Sequence, residues 1–540
     1  MKHSHLTKLA ALFFALLLCV CSLPLTAMAD EDVTVDEEYE AKKAAYRAQI
    51  MADDVTSDDL LIGSWVTFYS FDIDSYEYQL DQMAAAGMNF CTIPRTFGVG
   101  DMFDQAYWDN IETQFGSRNM VYHMDGGMDA GKRELGVQYA ADLEHCIGYH
   151  VKDEPGGDAL QSVADVVKAY READSARYPF VNLLPSYAGE AWLGGTYYEH
   201  VSRFVELCGA ENIEYLSHDY YPFRDGNVVM TGIYADMEVL RKVAYENGKL
   251  KTHAFTQSTA WNGTRMPSEN EMRWNVYSYL AYGFKALSWF NLVCPGSSDT
   301  EGEGFRDSLI YRDGTIRDPE LYEFWSELNW EVRGLSSVLM SVDAAHAYHT
   351  DRRVSGVEHL PEDYFIQTKG ARADYIITDF EPKDGGDRYI MIFNKTYKKD
   401  IPSADFTVDL SGDVKWLEYF DPFTGEYIPV EIKDGEMEES FRAGEGKLYR
   451  LRTDEPPVET EEPTEEPTEE PTEVPTEEPA TTQAEVTTET PTEADTATQT
   501  DAEGTTDAPA EKTGCGAVVG WSAVAVLTAV AAAFLRKKRD

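Results

Sequence analysis

The sequence predicts an α/β chain built on a (β/α)8 barrel, the TIM-barrel architecture, followed by a small antiparallel β-sandwich. Three observations carry that prediction. From Leu60 to Val342, short β-branched or aromatic runs alternate with amphipathic windows of helical period. There are eight such units in about 285 residues, the count and size of a closed parallel barrel. No Gly-x-Gly-x-x-Gly follows the first run, so a doubly wound dinucleotide-binding sheet finds no support.

Strands are expected at 61–68, 88–93, 119–124, 146–151, 180–184, 213–218, 250–256 and 286–291. Helical windows follow most of them. At 74–86, Tyr76, Leu80, Met83 and Ala84 share a face; at 158–176, Leu160, Val163, Val167 and Tyr170 do. The last barrel helix is expected at 321–339. The pattern then shifts to period two, with strands at 374–379, 389–394, 404–410, 415–419, 427–432 and 447–451, separated by turn signals such as Asp384-Gly385-Gly386. The expected organisation is a barrel over 59–343 and a β domain over 344–453, preceded by an acidic, partly helical leader at 30–58.

The two ends carry export and anchoring signals. Lys2 and Lys8, the apolar run 9–20 and the small-residue site Ala27-Met28-Ala29 lay out a signal peptide over 1–29. The uncharged run 517–535, followed by Arg536-Lys537-Lys538-Arg539, is long enough to span a bilayer with positive charge on the inner side. A membrane anchor over 513–540 and a cell-surface location are therefore expected. The tail resembles those of bacterial surface proteins, although it lacks Leu-Pro-x-Thr-Gly. Between fold and anchor, 454–512 repeats Glu-Glu-Pro-Thr and has too few apolar residues to offset the entropy of ordering, so it is expected to be a disordered stalk.

The formal charge is −50, from 96 acidic against 46 basic residues. Such a chain repels phosphate backbones, which argues against a nucleic-acid partner. The seven cysteines form neither a disulfide framework nor a CxxC metal pattern.

In a barrel of this kind the site lies where the strands end. Strand three ends on His123-Met124-Asp125, strand four on Lys152-Asp153-Glu154-Pro155, and strand six on Ser217-His218-Asp219-Tyr220-Tyr221. Strand seven ends on Thr256-Gln257 with Trp261 beyond, and strand eight on Trp289-Phe290-Asn291. Alternation puts Lys152 with Glu154, and Ser217 with Asp219, on the barrel-facing side. Carboxylates thus converge on one mouth. Acidic neighbours raise the pKa of Glu154 and keep it protonated, as a general acid requires. Asp-Glu-Pro also has a purely structural meaning, as a helix start with Pro in the first turn.

The run Tyr149 to Pro155, aromatic-x-x-x-Asp-Glu-Pro at the end of strand four, resembles the acid/base position of clan-A glycoside hydrolases of the β-galactosidase-like superfamily. The resemblance covers roughly 59–453. It implies Glu154 as general acid/base and Asp153 in the place of the usual Asn. It also implies a nucleophilic Glu at the end of strand seven, where this sequence has Gln257.

Cleavage of a glycosidic bond needs an acid and a carboxylate on opposite faces of the ring, about 5 to 5.5 Å apart for retention and about 6.5 to 9.5 Å for inversion. The expected catalytic pair is Glu154 and Asp219, with Asp219 as general base in an inverting hydrolysis. Retention would need Asp219 nearer, or a substrate acetamido group as nucleophile. Asp125 and Asp153 are further candidate partners. Tyr221, Trp261, Trp289, Gln257 and Asn291 are expected to contact a carbohydrate substrate, the aromatics by stacking. Arg95 would contact a hydroxyl or neutralise the mouth. Gln257 equally feeds a second possibility, a non-catalytic glycan-binding surface protein on the same barrel. A third, a zinc hydrolase using His123, Asp125, His150, His218, Asp219 and His253, lacks the usual ligand spacings, so no metal or cofactor is expected.

Overall fold

The computed structural model describes residues 37–66, 73–93, 104–261, 263–293, 304–311, 315–370 and 374–456. The signal peptide, stalk, anchor and Arg95 lie outside the described residues. Among the described residues no helix is long and apolar enough to cross a membrane.

Eight parallel strands close into a barrel in the order β1-β8-β7-β6-β5-β4-β3-β2. They are β1 Leu61–Val66, β2 Phe90–Ile93, β3 Val121–Asp125, β4 Cys146–Asp153, β5 Tyr178–Leu183, β6 Tyr215–Asp219, β7 Lys251–Gln257 and β8 Ala286–Phe290. All eight expected runs are strands. The helices used below are α1 Glu37–Ala52, α2 Ile73–Ala85, α3 Gln105–Gly116, α4 Ala130–Ala140, α5 Leu160–Ala173, α6 Tyr197–Cys208, α7 Ile233–Glu246, α8 Glu269–Ala281 and α9 Pro319–Gly334. On α5 the stripe Leu160, Val163, Val167 and Tyr170 is buried, as its spacing requires.

Alternation divides each strand between two cores. Leu61, Phe90, Val121, Tyr178, Phe180, Tyr215 and Phe255 fill the barrel. Ile62, Cys91, Tyr122, Tyr149, Val181, Leu216, Ala254 and Trp289 face the helical shell.

The leader closes the far end. Helix α1 lies on α9, where Tyr46 donates to the Gly334 carbonyl at 2.8 Å and Arg47 pairs with Glu327 at 2.6 Å. The chain then runs beneath the barrel and brings Val55 into its core. Val55 N–H donates to Asn119 Oδ1 at 2.8 Å, and Lys251 Nζ and Tyr215 OH donate to the Ser57 carbonyl at 2.8 and 3.2 Å. One end of the barrel is thereby plugged, which leaves the strand C-terminal ends as its mouth.

Apart from two-residue strands in the barrel loops, the strands that follow are β9 Val342–His349, β10 Glu358–His359, β11 Ile366–Thr368, β12 Tyr375–Pro382, β13 Arg388–Asn394, β14 Ile401–Val408, β15 Trp416–Phe420, β16 Tyr427–Pro429, β17 Glu436–Phe441 and β18 Gly446–Arg452. Seven form one sheet in the order β10-β9-β12-β13-β18-β15-β16; β11, β14 and β17 form another. Ile377, Ile392 and Leu451 of the first share a core with Phe406, Met437 and Phe441 of the second, which makes a sandwich. Pairing is antiparallel except between β9 and β10. Strands β9, β10, β11 and β17 were not expected. In β17, Glu-Met-Glu-Glu-Ser-Phe, charge masks an alternation carried only by Met437 and Phe441. The outer face of the larger sheet packs on the helical shell through Ile376, Phe380, Met391 and Phe393. Backbones touch there: a Cβ on Gly334 would lie 1.7 Å from the Pro422 carbonyl oxygen.

Candidate functional site

Glu154 is delivered to the mouth by two local irregularities. The register between β4 and β5 shifts between His150 and Lys152, so strict alternation fails there. Asp153 then falls opposite Asn182 and accepts from its Nδ2 at 3.1 Å. Glu154 itself has φ of 44°, a left-handed conformation costly for a residue with a Cβ, and its N–H is held by the Asn182 carbonyl at 2.8 Å. Bulges and strained residues of this kind re-aim side chains beside functional sites. Pro155 does not open a helix, because α5 begins only at Leu160.

Asp219, at the end of β6, meets Glu154. Asp219 couples electrostatically to Glu154 and Asp153, and Tyr221 lies beside it. Glu154 Oε2 and Asp219 Oδ1 are nevertheless buried without a partner. Burial, then the charges of Asp219 and Asp153, hold the Glu154 carboxyl well above its ordinary range. Burial and the charge of Asp153 push Asp219 up to about 8. Asp153 is raised by burial alone; His150, the Asn182 hydrogen bond and Lys152 all pull it down.

An aromatic wall flanks the carboxyls. Tyr221 meets Trp261 edge-on at 4.8 Å and Phe290 at 5.2 Å, and Phe305 lies 6.2 Å from both Trp261 and Phe290. Tyr187, which the sequence did not single out, packs on Tyr220 at 5.0 Å and lies within electrostatic reach of Asp219 and Glu154. Asp125, at the end of β3, is half-buried and two residues beyond His123, on the same side of its strand.

Two expected contacts, Trp289 and Gln257, are structural instead, and Asn291 is partly so. Trp289 is fully buried in the helical shell, donating to Asn329 at 2.9 Å and packing on Trp325. Asn291 Oδ1 accepts from Ser64 at 2.9 Å and its carbonyl accepts from Ser258 and Thr259, which ties strand ends together, while its Nδ2 is buried without a partner. Gln257 is fully buried: its Oε1 accepts from Phe223 N–H at 3.0 Å, while Nε2 donates to the carbonyls of Phe223, Thr259 and Arg265 at 3.2, 3.3 and 2.8 Å. With every polar atom committed to backbone, Gln257 has nothing to offer a sugar. Among the described residues no cluster of His, Cys, Asp and Glu is arranged to hold a metal.

No protein-family model matches the chain, and neither does any curated protein. Solved structures with a similar fold include a glycoside hydrolase family 5 protein from Bacteroides vulgatus, 13% identical, covering 73% of this chain and 88% of that one at a TM-score of 0.43. A β-galactosidase from Bacillus circulans sp. alkalophilus is 10% identical, covering 73% and 99% at 0.47. An Anoxybacillus α-amylase is 11% identical, covering 74% and 99% at 0.42. At such identities and scores, likeness assigns neither a family nor an activity.

Proposed function

We propose that the chain is a glycoside hydrolase acting on an oligo- or polysaccharide, with Glu154 as the general acid in the clan-A acid/base place. The observation that carries this is the electrostatically coupled Glu154–Asp219 pair, drawn into the barrel mouth beside Asp153, with no salt bridge to any of the three among the described residues. A carboxyl kept protonated at neutral pH can protonate the leaving glycosidic oxygen. The negative charge remaining in the trio stabilises the cationic ring that develops. Tyr221, Trp261 and Phe290 supply flat apolar surface for its CH face. Proton NMR of the first product anomer distinguishes a water attacking the opposite face of the ring, which inverts, from a nucleophilic carboxylate or substrate acetamido group, which retains. The export and anchoring segments support action at the cell surface, tested by whether removal of 513–540 releases the chain into the medium.

The test is a screen of the chain against aryl glycosides and polysaccharides, with Glu154→Gln as control. Loss of the acid lowers turnover about 10²- to 10⁴-fold. Activity within a few-fold of wild type would move the site elsewhere. Binding without turnover by the unmodified chain would favour the glycan-binding alternative.

A further inference from the structure

A chain of polar side chains crosses the inside of the barrel beneath the mouth, and it ends on Asp153. Asn182, Ser217 and His253 occupy matched register positions on β5, β6 and β7. Asn182 Nδ2 donates to Asp153 at 3.1 Å. Ser217 Oγ lies 3.0 Å from Asn182 Oδ1 and 2.8 Å from His253 Nδ1. His253 Nε2 lies 2.9 Å from Ser288 Oγ on β8, and Ser288 lies 3.3 Å from Thr92 Oγ1 on β2. Strand β1 stands between β8 and β2, but opposite Ser288 it presents Gly63, which has no side chain to separate the two hydroxyls. Asn182, Ser217, His253, Ser288 and Thr92 are each no more than 1% exposed.

The direction of every bond follows from the inventory of donors. Asn182 spends its amide N–H on Asp153, so its Oδ1 accepts, and Ser217 must donate to it. Ser217 has one proton, so its oxygen accepts from His253, which places the imidazole proton on Nδ1. Burial, then the charge of His218, drives the His253 pKa down to about 3, so the ring is neutral and Nε2 is an acceptor. Ser288 therefore donates to Nε2, and Thr92 donates to Ser288. All five bonds point the same way, and polarised chains of this kind strengthen one another.

We propose that this one-way relay makes Asp153, rather than Asp219, the ionised member of the trio, with His253 as a positioning residue acting through Ser217 and Asn182. Its kinetic consequence rests on the glycosidase proposal; its proton arrangement does not. The groups facing Asp153 are Glu154, Asp219, Lys152, His150 and Asn182, and of these only the Asn182 amide is tied to the relay.

Two measurements on the full chain test it. Nitrogen-15 NMR of the histidine-labelled chain, with the ring assigned by its loss in His253→Asn, is expected to show a neutral Nδ1–H tautomer from pH 5 to 9. An Nε2–H tautomer or an imidazolium would reverse the relay and overturn the proposal, whatever the chain hydrolyses. Ser217→Ala cuts the relay with little change in packing. By analogy with lost supporting hydrogen bonds at metal sites, it should lower kcat about tenfold with KM nearly unchanged. The acid limb of kcat/KM should move to higher pH, because Asp153 loses support for its charge, and Ser217→Thr should restore both. If Ser217→Ala leaves kcat and the profile unchanged while Glu154→Gln is inactive, the relay is only core and the proposal fails while the glycosidase assignment stands. If Glu154→Gln stays active, that assignment fails, and the tautomer still judges the relay.

Discussion

Two groups of buried acids lie in this molecule, and they are treated in opposite ways. Glu331 on α9, at the contact between barrel and β-sandwich, accepts from Tyr277 OH at 2.7 Å and from Arg442 at 2.7 Å, and Arg442 also bonds Glu445 at 2.7 Å. At the mouth, Asp153, Glu154 and Asp219 have one another, the Asn182 amide and the more distant charge of Lys152, which forms no salt bridge with them among the described residues. A carboxylate withdrawn from water costs several kcal/mol unless a partner replaces the lost hydration. Pairing offsets that cost at the interface. At the mouth it is left standing and emerges as raised pKa values. Burial of an acid is therefore no pointer to function by itself; burial without a salt-bridge partner is the stronger one.

The sharpest challenge to this contrast comes from Gln257, which stands in a mouth position by strand count yet is spent on backbone. Gln257→Glu would set a carboxylate against the carbonyls of Phe223, Thr259 and Arg265. Its expected cost is about 3 to 5 kcal/mol, the scale for an uncompensated buried charge, with no gain in turnover. Wild-type stability in urea would mean that residue 257 opens to the site.

A smaller effect separates the two acid groups directly. Glu331→Gln should destabilise by about 1 to 3 kcal/mol, since it weakens a charged hydrogen bond to Arg442. Glu154→Gln should cost little, because the carboxyl it replaces is already held neutral by its surroundings. Equal losses in the two variants would erase the distinction between them.

The gentlest test is pH. With its folded pKa pushed up to about 8 from an unfolded value near 3.8, Asp219 keeps its proton in the native chain over a window where the unfolded chain has lost it. The unfolded state binds fewer protons there, so this group's stabilising contribution is full below about pH 4 and is lost as pH rises towards 8, by up to about 1.4 kcal/mol per unit for one proton. Asp219→Asn should flatten that slope in urea titrations. An unchanged slope would show that Asp219 is not the group held protonated.

Much of the architecture was legible because it is written locally. Period-two runs and helical stripes depend on which residues lie two, three or four apart, and those spacings gave eight barrel strands and the buried stripe of α5. Strand β17 escaped because its glutamates outnumber the two residues that anchor it. Glu154 was legible too, since Asp-Glu-Pro at the end of a fourth strand is a local pattern at a place the barrel makes significant.

What the sequence by itself determined is thus the order of the elements and the supply of carboxylates and aromatics at strand ends. Tertiary structure alone decided which of them meet. The β4 irregularity turned Asp153 towards Asn182, a residue 29 positions away. Barrel closure brought Ser288 within reach of Thr92, 196 positions away, and loops after β6 and β7 consumed Gln257. The physical reason is that a side chain's direction follows from its neighbours on the strand, whereas its partner depends on how distant strands register when the sheet closes, and no local spacing encodes that register.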